Sequence, residues 1–175
     1  DIKLEFITDT GVFSKNRVDF GSDVLIRSLP AIEGQVLDLG CGYGPIGISI
    51  AKLNPSATVT MVDVNKRAVE LANQNIANNG IINAKAIHSD GFAAISSCSY
   101  NAIVTNPPVR AGKKVIYDLF EKSIEHLYEG GAFYVVIQKK QGAKSAMDKL
   151  QSVYGNCKAI EKKGGYWVLE CIKLK

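Results

Sequence analysis

The stretch Gln35-Val36-Leu37-Asp38-Leu39-Gly40-Cys41-Gly42-Tyr43-Gly44-Pro45-Ile46-Gly47 constrains this chain more than any other. An apolar run of strand length passes directly into a glycine-rich turn, and a helix is predicted from Pro45 to about Leu53. Glycine tolerates positive φ and lets backbone approach a ligand closely. Pro45 suits the first turn of a helix, where a missing N–H costs nothing. Free N–H groups at such a helix start attract a carboxylate or a phosphate. A strand, turn and helix of this kind belong to a parallel sheet whose ligands sit at the carboxyl ends of its strands. The spacing Gly42-x-Gly44-x-x-Gly47 also matches the dinucleotide fingerprint, so the turn alone leaves the ligand open.

The rest of the sequence alternates in the same sense. Residues 2–8 alternate like a strand, with a turn at Thr10-Gly11, and residues 21–29 form a short helix stopped before Pro30. Residues 57–62 make a strand ending at Asp63. Asn65 caps the helix that follows, whose Val69, Ala72 and Ile76 share one face. Residues 84–88 and 100–105 are further strands. Residues 113–128 read as one amphipathic helix, with Val115, Ile116, Leu119, Phe120 and Leu127 inward. Gly130-Gly131 is expected to break that helix before a buried strand at 132–137. A helix at 143–153 and strands at 157–161 and 166–173 complete the chain, the last two forming a hairpin about Lys163-Gly164-Gly165. The expected fold is α/β: a Rossmann-like, mainly parallel seven-stranded sheet with helices on both faces, a C-terminal antiparallel hairpin and an N-terminal strand or hairpin extension. Residues 1–175 are expected to form a single domain, with 1–30 as a lead-in and 31–175 as the core.

Composition narrows the function classes. A chain of 175 residues, 46% hydrophobic and 22% charged, has the profile of one ordinary globular domain. Its apolar runs are strand-sized, which leaves no membrane-spanning segment. The opening Asp1-Ile2-Lys3-Leu4 has neither a signal pattern nor an initiator Met, so a trimmed N-terminus is expected. Cys41, Cys98, Cys157 and Cys171 are scattered without a CxxC pair, which fits a reducing cytoplasm and no metal site. His88 and His126 lack the spacing of a metal site or a triad and read as packing or surface residues. Charge is uneven: residues 1–100 carry 8 Lys+Arg against 10 Asp+Glu, whereas residues 101–175 carry 13 against 7. That basic second half suits a polyanion, although a solvated lysine-rich surface has the same composition.

Two further strand ends carry chemistry. Asp63 follows the glycine turn by about twenty residues and can accept hydrogen bonds from both hydroxyls of a ribose. NAD and S-adenosylmethionine share that ribose, so Asp63 does not separate them. Asn106-Pro107-Pro108, after residues 101–105, does. An aromatic amine is a poor nucleophile because its lone pair is delocalised into the ring. A fixed carboxamide oxygen and a fixed backbone carbonyl can accept its two N–H bonds and aim the lone pair at a methyl donor. Each proline locks its own φ and restricts its predecessor, which holds the Pro107 carbonyl direction. Orientation then lowers the barrier without a strong base.

With these residues in view, the sequence resembles the class I S-adenosylmethionine-dependent methyltransferases, specifically the small-domain group containing the ribosomal RNA guanine-N2 methyltransferases of RsmC type. The resemblance covers nearly the whole chain: Gly11-Val12-Phe13-Ser14, the glycine turn, Asp63, Asp90, and Thr105-Asn106-Pro107-Pro108-Val109-Arg110-Ala111-Gly112-Lys113. It implies that Asp38, Gly40, Gly42 and Gly44 hold the methionine part of the cofactor, that Asp63 takes the ribose, and that Val64 flanks the adenine. Asp90 would accept the adenine amino group beside the Gly91 and Phe92 backbone, and Asn106 with Pro107 and Pro108 would grip the target amine. Many amino methyltransferases place an aromatic residue directly after the two prolines; here Val109 stands there, which leaves stacking to Arg110 or Phe13. Lys139 and Lys140, with Arg110, Lys113 and Lys114, would form a phosphate-binding edge toward ribosomal RNA or a ribosomal subunit, although a solvated loop carries the same residues. A base, a free nucleotide and a protein glutamine amide remain open as targets, with an NAD-dependent oxidoreductase and a non-catalytic RNA-binding module as rival readings.

Overall fold

The computed structural model describes residues 4–8 and 18–175. Its strands are β1 (Gly34–Leu39), β2 (Ala57–Asp63), β3 (Ala84–His88), β4 (Tyr100–Thr105), β5 (Leu127–Gln138), β6 (Lys158–Lys163) and β7 (Tyr166–Ile172). The helices are α1 (Phe20–Ser28), α2 (Pro45–Leu53), α3 (Lys66–Asn78), α4 (Lys113–Ser123) and α5 (Ala143–Tyr154). The sheet runs β3-β2-β1-β4-β5-β7-β6, with β1 to β5 parallel and β7 antiparallel to both of its neighbours. Strand order reverses between β1 and β4, so their carboxyl ends, at Leu39 and Thr105, open the crevice where such sheets bind ligands. This is the Rossmann-like fold expected from the sequence, closed by the expected hairpin.

Strand alternation sorts the core into two layers. Val36, Val59, Met61, Val104 and Val136 join α1, α2 and α3 on one face. Their neighbours Leu37, Val62, Ile103, Val135 and Ile137 join α4 and α5 on the other. Inner strands are covered on both sides, which is why 36–39 and 102–105 are continuously buried, with Asp38 and Thr105 as the polar exceptions at the carboxyl ends.

Two expectations need correction. The helix from Lys113 does not continue to Tyr128. It ends at Ser123, whose hydroxyl donates to the Phe120 carbonyl at 2.7 Å, and tightens into a single 3-10 turn over Ile124–His126. Leu127 already belongs to β5, paired with Tyr100. Gly130 and Gly131 therefore lie inside a strand, where the register shifts between Tyr100 and Ala102. A Cβ on Gly131 would come within 2.9 Å of the Tyr128 carbonyl and 3.1 Å of the Asn101 carbonyl, so Gly131 serves close strand approach, and neither glycine terminates a helix.

The second concerns the N-terminus. Residues 4–8 are extended but join no sheet. Two asparagines one turn apart, Asn75 on α3 and Asn79 at its C-cap, act as the partner strand instead. Asn79 Oδ1 accepts from Glu5 N–H at 2.8 Å while its Nδ2 donates to the Glu5 carbonyl at 2.7 Å; Asn75 does the same for Ile7 at 2.6 and 3.0 Å. A carboxamide presents one donor and one acceptor, as a peptide group does. Leu4 and Phe6 then point inward, and the Phe6 ring meets Tyr43 edge-on at 5.7 Å. The predicted alternation is present; the ladder is made of side chains.

Candidate active site

The crevice at the β1/β4 switch is a cleft of about 500 Å³. Its lining comes from every strand end that the sequence singled out: Gly40 and Gly42 after β1, Asp63 and Val64 after β2, Asp90 and Gly91 after β3, and Asn106, Pro107 and Pro108 after β4.

The β1 side is built on backbone. Gly40, Gly42 and Gly44 all hold positive φ, at 72°, 56° and 109°. A Cβ added to Gly40 or Gly42 would meet no heavy atom within 4 Å of its own protein, so the space beside both is free for a ligand. Asp38 lies behind this turn, fully buried and outside the lining. Its Oδ2 accepts from Gly47 N–H at 2.9 Å at the start of α2, while Oδ1 has no partner. Burial pushes the Asp38 carboxyl up to about 7; the Gly47 bond pulls it down, and the nearby Asp63 charge adds to the rise. Burial likewise raises the neighbouring Cys41 thiol, with the Asp38 and Asp63 charges adding to it, which keeps it protonated and unreactive.

Asp63 ties the first two strand ends together. Its Oδ2 accepts from Gly42 N–H at 2.8 Å and its Oδ1 from Asn65 N–H at 2.9 Å. Each carboxylate oxygen can take a second bond, which leaves capacity for two hydroxyls. Beyond it, Asp90 is exposed at the far end of the cleft, and a Cβ on the adjacent Gly91 would approach Leu119 to 3.3 Å. The Phe92 ring faces elsewhere, stacked on His126 at 4.4 Å in the core, so His126 is a packing residue as expected.

The β4 side is built on side chains. Thr105 Oγ1 donates to the Leu39 carbonyl at 2.8 Å and locks the two strand ends together. Asn106 Nδ2 donates to Ser22 Oγ at 3.1 Å and approaches Asp19 Oδ1 at 3.5 Å, at the start of α1. Its Oδ1 therefore faces away from those groups. Pro108, at φ −76° and ψ 81°, sits in an inverse γ-turn in which the Pro107 carbonyl accepts from Val109 N–H at 2.9 Å. That turn fixes the carbonyl direction and leaves its second lone pair.

Other named residues fall around the rim or beyond it. Val109 is partly buried against the core beneath α4 and does not line the cleft. Arg110, Lys113, Lys139 and Lys140 are exposed, the first two after β4 and the last two after β5 on the same edge of the sheet. Phe13 lies outside the described residues. Sequence reasoning missed Ser22, Tyr43, Ser89 and Thr105, and it assigned Val115 to the core, whereas Val115 is 45% exposed on the cleft; Leu119 packs against the core as expected and also lines the cleft. Their i, i+4 spacing showed a shared helix face but not that α4 overhangs a ligand site.

Comparison with known proteins agrees with this geometry. The family model described as "Methyltransferase small domain" matches residues 3–170. The uncharacterized protein YbxB of Bacillus subtilis is 51% identical over 97% of this chain and 86% of its own length. The ribosomal RNA small subunit methyltransferase C of Aeromonas hydrophila is 40% identical over 78% of this chain, which spans only 40% of that enzyme. Among solved structures, the T. thermophilus 16S rRNA N2 methyltransferase RsmC, in complex with AdoMet and guanosine, superposes with a TM-score of 0.83 at 28% identity, covering 93% of this chain and 45% of that one. The residues present fit S-adenosylmethionine: an unpaired buried carboxylate oxygen beside the glycine turn suits a methionine ammonium, and two glycines leave open the space that side chains would fill. By the match along its length and by the cleft it encloses, the chain belongs to the methyltransferase small-domain family and is an S-adenosylmethionine-dependent methyltransferase.

Proposed function

We propose that the protein transfers a methyl group to an exocyclic amino nitrogen, most specifically to guanine N2 of small-subunit ribosomal RNA. The observation that carries this reading is the Asn106 carboxamide: its nitrogen is turned back onto α1, so its oxygen and the Pro107 carbonyl remain as two acceptors at the mouth of the cleft. Two acceptors match the two N–H bonds of a primary aromatic amine. They draw the nitrogen out of conjugation and direct its lone pair toward the cofactor side.

In this role S-adenosylmethionine supplies a methyl group activated by a sulfonium. Asp38, Gly40, Gly42 and Gly44 hold its methionine end, Asp63 the ribose, and Val64, Asp90, Gly91 and the Phe92 backbone surround the adenine. Arg110 and Phe13 flank the base, Val109 supports that turn from the core side, and Lys113, Lys139 and Lys140 meet the RNA phosphates. Residues 1–175 act as one methyltransferase domain, in the cytoplasm, on ribosomal RNA or a ribosomal subunit. Support for the RNA target comes from the basic half of the chain, from those exposed cations on the edge that carries Asn106, and from the relatives named above.

Incubation with undermethylated ribosomal RNA, small subunits and labelled S-adenosylmethionine tests it. Label is expected on one guanine N2, with transfer weakening as salt rises because phosphate contacts release counterions. Label on adenine N6 or on a glutamine amide would move the target while keeping the amine chemistry; absence of label on any amine would overturn the reading.

A further inference from the structure

A carboxamide is nearly symmetric in shape and opposite in chemistry at its two ends. Only one orientation of Asn106 works in an amine clamp, because an NH2 group turned toward the target would set donor against donor. We propose that Asp19 and Ser22 are positioning residues that hold Asn106 with its oxygen toward the acceptor amine. The inference rests on the amine-methylation reading above and names the residues on which that clamp depends.

The orientation follows from the neighbours alone. A carboxylate such as Asp19 accepts and does not donate, so the group facing its Oδ1 at 3.5 Å must be the amide nitrogen. Ser22 could in principle do either, but its hydroxyl hydrogen is committed to Asp19 Oδ2 at 2.8 Å, so its oxygen accepts from Asn106 Nδ2 at 3.1 Å. Neither neighbour can donate to Asn106 Oδ1. The pair is itself held in place: Asp19 is the N-cap of α1 and accepts from Ser22 N–H at 3.2 Å, and Ser22 is 2% exposed while lining the cleft. A helix start in the N-terminal lead-in thus fixes a side chain 84 residues beyond Ser22.

Charge adds to geometry. As the N–C bond forms, the C–S bond breaks, the sulfur keeps that electron pair, and the nitrogen becomes cationic until it releases one proton to water. A carboxylate behind Nδ2 polarises the amide toward a more negative oxygen, which strengthens the acceptor as positive charge develops. Asp19 therefore acts through Asn106 without touching the substrate.

The test is single-turnover methyl transfer to undermethylated small subunits, with cofactor affinity by calorimetry and Tm read in parallel. Asp19→Asn keeps a good N-cap while removing the charge; Ser22→Ala removes the acceptor. Each is expected to slow transfer about 10–100-fold, the scale of a misplaced reacting group, with cofactor affinity and Tm unchanged. If both act through Asn106, the same changes made on an Asn106→Ala background cost no more than about twofold, since contacting residues that work as a unit do not add. Rates within about twofold of wild type, an equal loss on both backgrounds, or a loss that tracks a fall in Tm in both variants would overturn the role. Wild-type protein that methylates no amine removes the functional reading and this inference together. Wild-type transfer with undiminished variants removes only the inference.

Discussion

The two walls of the cleft are held by different means. On the β1–β2 side, glycine backbone and helix-start N–H groups are pinned by carboxylates no more than 21 residues away: Gly47 by Asp38, Gly42 and Asn65 by Asp63. On the β4 side, one carboxamide is held by two residues at the start of α1, more than 80 residues away along the chain. A wall made of backbone can change its side chains and keep its shape, whereas a wall made of one oriented amide fails when that amide turns. The first wall is suited to a constant cofactor, the second to a chemical step.

The largest expected effect breaks the second wall and spares the first. Asn106→Ala should leave S-adenosylmethionine affinity near wild type by calorimetry and lower the rate of transfer about 10²–10³-fold, the scale found when one preorganised polar group is lost from a reacting centre. A parallel loss of cofactor affinity would show that the two walls are not separable. The converse change is Asp63→Ala. It removes the acceptor for Gly42 N–H and for Asn65 N–H together with the ribose contacts proposed for this carboxylate. Hydrogen bonds to a charged group contribute about 1.5–3 kcal/mol each, so cofactor affinity should fall at least about tenfold, with transfer restored at saturating cofactor. A variant that binds as wild type would remove Asp63 from the cofactor wall.

The same division explains what the sequence made legible. Every strand end of the first wall is marked by a local signal: glycines at a turn, a proline at the first turn of a helix, an aspartate closing a strand. Asn106-Pro107-Pro108 is equally local, and so its place in the cleft was readable. Its orientation was not, because Asp19 and Ser22 announce only a helix cap; their second task depends on how α1 packs over β4. Val115 was misplaced, and the cleft-lining side of Leu119 missed, for a related reason. Apolar residues on a helix face look alike whether they cover a core or a ligand. The run from Lys113 to Tyr128 misled because Leu127 keeps helical spacing with Phe120 yet pairs with Tyr100 in the sheet. Asn75 and Asn79 carry the reverse lesson: polar residues on a helix, unremarkable in sequence, supply the edge that an extended segment needs.

Asp38 offers the most diagnostic effect, because it sharpens the comparison through pH. Its carboxyl is raised by burial from an ordinary 3.8 to about 7. Since the folded value lies above the unfolded one, the proton is worth stability that is whole below about pH 4 and gone once pH has risen through about 7. The full span is about 4 kcal/mol at 1.36 kcal/mol per unit. Asp38→Asn keeps an acceptor for Gly47 N–H and removes the titration, so its Tm should gain on wild type as pH is raised from 5 to 8. Cofactor binding should run the other way. An ionised Asp38 suits the methionine ammonium and a protonated one does not, so wild-type affinity should climb up to about tenfold per pH unit below 7. It should flatten near neutrality and fall again as the cofactor's own α-amino group loses its proton near pH 7.7–8.0. D38N should lose the acid limb and keep the alkaline one. Wild-type affinity flat from pH 5.5 to 7 would mean that the unpaired Oδ1 does not meet the ammonium, leaving the backbone of the glycine turn and Asp63 to hold the cofactor without it.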